Sequence, residues 1–279
     1  MIDLHFHSTE SDGTLTPSEL VHRAAEAPLE AIALTDHDTT TGLAEFHEAG
    51  QALEIETISG IEISASWYHS AIHILGLFID EHNDELKAYS MLASKRRISR
   101  NEKIIKKIAT MGFHVSIEEW LAEAGHNVPG RPHLASILVK RGCFPDIKTV
   151  FSELIGNQAP GFVRQDLLHP QQAIALIHKA GGLAVWAHPY AMREVPFSTM
   201  KKTGLTLKGY GLDAIETHYP HFSEHTHRNA VKLAERYNLL QSGGSDFHGK
   251  NSPGVQLGTG KGSLNVPYDF IVKMKEKLS

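Results

Sequence analysis

The chain opens Met1-Ile2-Asp3-Leu4-His5-Phe6-His7-Ser8. Polar and apolar residues alternate, the signature of a strand in which side chains two apart share a face. The alternation predicts Asp3, His5 and His7 on one side and Ile2, Leu4 and Phe6 on the other. Two imidazoles projecting from one rigid strand are a ready pair of metal ligands. The theme returns at Asp36-His37, Glu62, His73, His188 and Asp246-Phe247-His248, each near the end of a predicted strand. Functional side chains of a closed β/α barrel gather at the carboxyl ends of its strands, so a barrel is expected.

Working outward, Thr16-Pro17-Ser18-Glu19 reads as a helix start, with Thr16 as N-cap, Pro17 at the first helical position and Glu19 closing a capping box. Strands are predicted over 31–34, 56–63, 71–77, 183–187, 214–217 and 239–242. Helices are predicted over 43–53, 170–179, 223–237 and 266–277. Repeated strand–helix units imply an α/β fold with a mostly parallel sheet and right-handed crossovers. Residues 81–165 differ: a long basic helix over 84–111 and shorter ones over 117–123, 132–140 and 147–154, punctuated by Gly and Pro. The expected organisation is a barrel domain from 1–80 and 166–279, with 81–165 as a helical insertion covering the active site.

A chain of 279 residues with 41% hydrophobic content suits one α/β domain with an insertion. Its 21% charged content and 12 prolines argue against disorder. A net charge of −5 disfavours a protein that coats long nucleic acid, while leaving room for a short anionic substrate. Cys143 is the single cysteine. An internal disulfide is therefore impossible and a reducing, cytoplasmic compartment is expected. No signal peptide and no apolar run of the ~20 residues needed to span a bilayer is legible, so no membrane partner is expected. Nothing points to an obligate protein partner.

Imidazole and carboxylate donors without a cysteine cluster suit Mn²⁺, Fe²⁺ or Zn²⁺. A site with several ions also needs a bridging carboxylate. Glu62, set between Ile61 and Ile63 where an unpaired charge would be costly, is the candidate. Taken singly, each piece has a plainer reading. Thr35-Asp36-His37-Asp38 is also good turn chemistry, and Gly243-Gly244-Ser245-Asp246 also reads as a phosphate loop or a simple turn. The conjunction at five strand ends favours the metal cluster.

Asp3-Leu4-His5-Phe6-His7-Ser8, Asp12-Gly13, Thr35-Asp36-His37-Asp38, Gly60-Ile61-Glu62, His73-Ile74-Leu75-Gly76, Ala187-His188-Pro189 and Gly244-Ser245-Asp246-Phe247-His248 together resemble the motifs of the PHP (polymerase and histidinol phosphatase) family, in the family's order. The resemblance implies a distorted (β/α)7 barrel and three divalent ions, with Mn²⁺ the expected one and Fe²⁺ or Zn²⁺ compatible. It would place one ion on His5, His7, Glu62 and Asp246, a second on Glu62, His73 and His188, and a third on Asp12, His37 and His248. It is closest to the stand-alone members that remove the 3′-phosphate of nucleoside 3′,5′-bisphosphates and to the related 5′→3′ exonucleases of short RNA. In those members a basic Arg-x-His motif of the insertion faces the substrate, and Arg131-Pro132-His133 matches it.

The resemblance thus implies a metal-dependent phosphoesterase acting on a small nucleotide or short RNA. Glu62 would bridge ions, and Arg131 with His133 would neutralise the phosphate oxygens. The leaving sugar oxygen would take its proton from Asp246 or from water. The alternatives are a histidinol-phosphate phosphatase and, from another class, a noncatalytic metal-binding module accessory to a polymerase. Arg131 also reads as an ordinary helix start, although a cation is disfavoured there. The run from Lys95 to Lys107 also reads as a solvated helix face. Trp67, Tyr68 and Trp186 are candidates to stack a base or to fill the core. His221 and His225, four apart, would share a helix face among the histidines at 218, 221, 225 and 227 and are read mostly as surface residues.

Overall fold

The computed structural model describes residues 1–68, 70–125, 128–189 and 195–279. Seven strands lie side by side in sequence order: β1 (Ile2–Phe6), β2 (Ala31–Leu34), β3 (Glu56–Trp67), β4 (Ser70–Leu77), β5 (Leu183–Trp186), β6 (Ala214–His218) and β7 (Leu240–Gly243). Four of the neighbouring pairs are parallel, while β4 runs antiparallel to both β3 and β5. The sheet is thus mostly parallel, as expected, with β4 the reversed strand. Only residues 68 and 69 separate β3 from β4, and a parallel return needs a dozen or more. The sheet nearly closes where the segment after β7 returns to β1. There His7 N–H donates to the Phe247 carbonyl at 2.9 Å and Asp246 N–H to the His5 carbonyl at 2.7 Å. The architecture is the distorted (β/α)7 barrel.

The two faces of the sheet carry separate apolar clusters. One gathers Ile2, Leu4, Ala33, Ile58, Leu75, Val185 and Ala214 with Val266, Phe270 and Met274. The other packs Phe6, Ile32, Leu34, Ile61, Ile63, Ile74, Trp186 and Ile215 against the surrounding helices. β1 breaks the expected alternation: Ile2 and Leu4 belong to the first cluster, Phe6 to the second. The pairing explains this, because Asp3 pairs with Ile32 but Phe6 with Leu34, so a bulge inserts one residue. Bulges re-aim side chains, and this one turns both His5 and His7 towards Glu62. A second register shift lies between Glu216 and His218.

Local signals in the sequence are realised closely at several helix ends. Glu19 N–H donates to Thr16 Oγ1 at 3.2 Å and Thr16 N–H to Glu19 Oε2 at 2.8 Å, the expected reciprocal cap. One helix was not legible: Phe197–Gly209, with three threonines and two glycines in thirteen residues. Its propensity is poor, but Gly204 lets it approach Leu233 of the helix Glu224–Tyr237, where an added Cβ would lie 3.0 Å from Leu233. The last helix begins at Asp269 rather than 266. Pro267 holds Val266 extended, and Val266 instead pairs with Ile2. The segment predicted as one helix over 147–154 splits into an α turn, Ile147–Val150, and a wider π turn, Phe151–Ile155.

The chain divides into two compact units, Met1–Ser90 with Leu167–Ser279, and Met91–Asp166. The first holds the barrel. The second has its own core of Ile104, Ile108, Trp120, Leu134, Leu138, Val150 and Ile155, with Trp120 Nε1–H donating to the Gly130 carbonyl at 3.0 Å. Much of its basic face is tied down: Arg96 pairs with Asp166 at 3.0 Å and Lys107 Nζ donates to the Phe162 carbonyl at 2.9 Å. Among the described residues no helix is long and apolar enough to cross a membrane.

Candidate metal centre

Six strands and the loops after them aim donors at one point. His5 comes from the bulge of β1, and His7 follows directly after the strand. Glu62 stands in the middle of β3 and His73 in β4, not at strand ends. Because β4 runs against its neighbours, its N-terminal half lies at the end where the other strands finish. His188 follows β5 with a left-handed backbone (φ 27°), and Asp246 follows β7 (φ 52°).

The loops that carry the remaining donors are themselves anchored. Asp36 accepts hydrogen bonds from Ser8 N–H at 2.8 Å, Ser8 Oγ at 2.6 Å and the Ser11 hydroxyl, so it folds the Ser8–Asp12 turn rather than joining the donors. Asp38, also left-handed (φ 58°), accepts from Ser64 N–H at 2.9 Å and from Tyr89 at 2.6 Å. His37 is thereby held between two fixed carboxylates. The turn-like reading of residues 35–38 is realised, and His37 also faces Glu62. Gly244 is glycine for want of room: a Cβ there would lie 2.4 Å from His5 N. Gly243 is confined in the same way by His218, so the Gly-Gly pair serves close packing of β7 on both β1 and β6.

Glu62 is the hub, and it is buried. Its Oε1 lies 2.8 Å from His73 Nδ1 and 3.0 Å from His188 Nε2. Its Oε2 lies 3.0 Å from His37 Nδ1, 3.2 Å from His7 Nε2 and 3.4 Å from His5 Nε2. Asp246 Oδ1 sits 3.3 Å from His5 Nε2 and 3.2 Å from His7 Nε2. Asp12 lies 3.2 Å from His248 Nε2, 3.8 Å from His7 Nδ1 and 3.9 Å from His37 Nε2. All nine residues named as donors from the sequence are thus brought together. Arg131 and His133 lie in the second unit, at the start of the helix Arg131–Lys140.

Electrostatics follow from that crowding. Burial alone would raise the Glu62 carboxyl, but His37, His73 and His5 hold it well below the usual carboxylate range. Burial likewise opposes the ionised form of Asp246 and of Asp12. His5 and His248 respectively are the leading charges that bring them well below normal. Burial lowers His248, yet Asp12 lifts it to about 10. His73 is lowered by burial.

A fit test for metal is available in unpaired atoms. His5 Nε2, His7 Nε2 and Glu62 Oε2 are buried and form no hydrogen bond. Leaving such groups unsatisfied costs about 1–3 kcal/mol each, and they face one another at 3.2–3.4 Å. Sets that could each hold an ion are His5, His7 and Glu62; His5, His188 and Asp246; His37, Glu62 and His73; and His7, Asp12, His37 and His248. The donor set fits divalent cations.

Sequence reading missed two residues. Glu216, fully buried in β6, accepts from His5 Nδ1–H at 3.0 Å and from the backbone N–H of His188 at 2.5 Å. Its signal was the same as that of Glu62: a carboxylate on a strand among apolar neighbours. Tyr219 donates its hydroxyl to Asp246 Oδ2 at 2.7 Å, and no local pattern marked it. One other expectation is corrected, and of the two readings open for Trp186 the core one holds. His221 lies before the helix Glu224–Tyr237, which Ser223 caps, so it shares no helical face with His225. Trp186 is 1% exposed within the core and is not placed to stack a base.

The comparisons with known proteins agree with this centre. A PHP domain model matches residues 3–130. The 3′,5′-nucleoside bisphosphate phosphatase of Chromobacterium violaceum is 34% identical over 260 residues, 92% of this chain and 90% of that protein. The 5′-3′ exoribonuclease Rnm of Escherichia coli is 34% identical over 260 residues, 92% of this chain and 87% of its own length. A solved structure of an amidohydrolase from Chromobacterium violaceum, with bound sulfate and no metal, superposes with a TM-score of 0.86 at 31% identity, covering 99% of this chain and 96% of that one. The chain belongs to the PHP family. Within it, the chain is a metal-dependent phosphoesterase, which removes the noncatalytic module from the alternatives.

Proposed function

We propose that this phosphoesterase acts on nucleotides, removing the 3′-phosphate of nucleoside 3′,5′-bisphosphates and trimming short oligoribonucleotides from the 5′ end. The observation that carries the reading is the convergence of His5 Nε2, His7 Nε2 and Glu62 Oε2, buried and unbonded, inside a larger ring of imidazoles and carboxylates. The substrate class rests on two relatives that match nearly end to end and bear those activities in their names. A sulfate held by the related solved structure is in keeping with a tetrahedral anion.

In this reading His5, His7, Glu62 and Asp246 hold one ion, Glu62, His73 and His188 a second, and Asp12, His37 and His248 a third, with Mn²⁺ the expected metal. Bound divalent ions supply positive charge against the phosphoryl oxygens and activate water for attack. Glu62 spans two of the groups because its oxygens face different imidazoles. Asp246 serves as a ligand rather than as the acid: the Tyr219 hydroxyl and the surrounding imidazoles keep it ionised, so the leaving sugar oxygen takes its proton from water.

Arg131 and His133 are assigned to the substrate's phosphate oxygens. Burial, and then Arg97, lower the Arg131 guanidinium. It meets the Ile155 carbonyl at 3.4 Å and the face of Phe151, with no carboxylate partner among the described residues. A half-buried cation lacking a counter-charge is suited to receive an anion. His133 Nδ1 accepts from Gly130 N–H at 3.0 Å, which leaves the proton of the neutral ring on Nε2 as a donor. Cys143 is exposed and free, in keeping with a reducing cytoplasm.

The test is phosphate release with Mn²⁺. Inorganic phosphate from adenosine 3′,5′-bisphosphate, or mononucleotides from a short 5′-phosphorylated RNA, with none from histidinol phosphate, supports the proposal. Release from histidinol phosphate alone contradicts it.

A further inference from the structure

We infer that Glu216, which is none of the nine donors, is the positioning residue that sets two of them at once and so couples two ion subsites. The inference rests on the metal-centre reading above. Glu216 is wholly buried on β6, and each of its oxygens has one task. Oε1 accepts from His5 Nδ1–H at 3.0 Å. That bond keeps the proton on Nδ1, so that the ring ligates through Nε2, the atom facing Glu62 and Asp246, the arrangement a ligand needs.

Oε2 accepts from the backbone N–H of His188. His188 holds a left-handed backbone at φ 27° without being glycine and stands directly before Pro189. Such a conformation persists only when its surroundings over-determine it. The bond to Glu216 supplies that restraint, and His188 Nε2 then reaches Glu62 Oε1 at 3.0 Å. One carboxylate thus aims His5 into the first donor group and His188 into the second. The register shift just after Glu216 in β6 is a local feature of the kind that re-aims side chains at sites.

Glutamine has nearly the same shape but offers one acceptor oxygen and one amide nitrogen. In Glu216→Gln only one of the two N–H groups keeps its acceptor. Either His5 changes tautomer and presents Nε2–H to the centre, or the His188 backbone loses its partner. The experiment titrates Mn²⁺ into the full-length wild type and Glu216→Gln by calorimetry. In parallel, nitrogen-15 histidine spectra of the Zn²⁺-loaded proteins report the low-field Nδ1–H proton of His5.

Expected are a loss of about 10- to 100-fold in Mn²⁺ affinity, a lower kcat with little change in KM, and a displaced or missing low-field proton. Circular dichroism should show the fold retained. Equal Mn²⁺ affinity and an unchanged His5 signal in the two proteins overturn the inference while leaving the metal centre standing. Wild type that binds no Mn²⁺ overturns both. Glu216→Asp, one methylene shorter, guards against a peculiarity of the amide. It cannot span both N–H groups and is expected to bind Mn²⁺ more weakly than wild type, and wild-type affinity in it also overturns the inference.

Discussion

The Tyr219 hydroxyl donates to Asp246 Oδ2 at 2.7 Å, so that the opposite oxygen of the same carboxylate is the one presented to His5 and His7. A hydrogen bond to the ionised form favours that form, and it also fixes which oxygen is offered to the centre. Tyr219→Phe removes the donor at almost constant shape. The expected result is a drop of about 10-fold or more in metal affinity or turnover, read by calorimetry and phosphate release. Wild-type values for both would show that Asp246 needs no such support.

Metal loading should release protons near neutral pH. Burial lowers His248, but Asp12 raises it to about 10, and Glu216, Asp246 and Glu62 raise His5 well above the ordinary value against burial. Both rings are therefore pushed towards the protonated form in the metal-free protein, and a protonated ring must lose a proton to ligate. Apparent Mn²⁺ affinity should therefore rise with pH, and calorimetry in buffers of different ionisation enthalpy should count the protons released. The sign for stability without metal is opposite. A raised imidazole contributes fully below about 6.5 and loses its contribution as pH climbs through its folded value, so the metal-free protein should weaken towards pH 10.

Arg131→Ala should leave bound metal unchanged and reduce kcat/KM by about 100-fold, the scale for losing one donor to transition-state charge. Elemental analysis beside steady-state kinetics checks this. Loss of metal, or retention of full activity, would move Arg131 out of its assigned role.

Gly244→Ala should destabilise the barrel by about 1–3 kcal/mol, the usual cost of forcing a methyl group into a packed site. The added carbon would meet His5 N at 2.4 Å and Asp3 Oδ1 at 2.8 Å. Denaturant unfolding of the metal-free protein measures this, and an unchanged midpoint would mean β7 can shift away from β1 freely.

Much of the barrel was legible because its signals are local. The Thr16 cap, the apolar runs at 31–34 and 183–186, and the donor residues beside them depend on neighbours in sequence. What escaped depends on distant ones. The bulge that puts His5 and His7 on the side of Leu4 arises from pairing with β2. The Phe197–Gly209 helix is made by its packing on Leu233 rather than by its own propensity. Asp36 and Asp246 illustrate the same point at the site: each precedes a histidine by one or two residues, yet one closes a serine turn and the other faces the imidazoles. Only the fold separates the two roles.

Glu62 faces two groups of imidazoles, one from each carboxylate oxygen, and so would join them into one centre for several divalent ions. Mn²⁺ titration of wild type against Glu62→Gln, followed by elemental analysis after gel filtration, tests it most directly. More than one retained Mn²⁺ per wild-type chain and a marked loss in the variant are expected, with the fold intact by circular dichroism. Equal Mn²⁺ retention by the two proteins, or none by wild type, would contradict it.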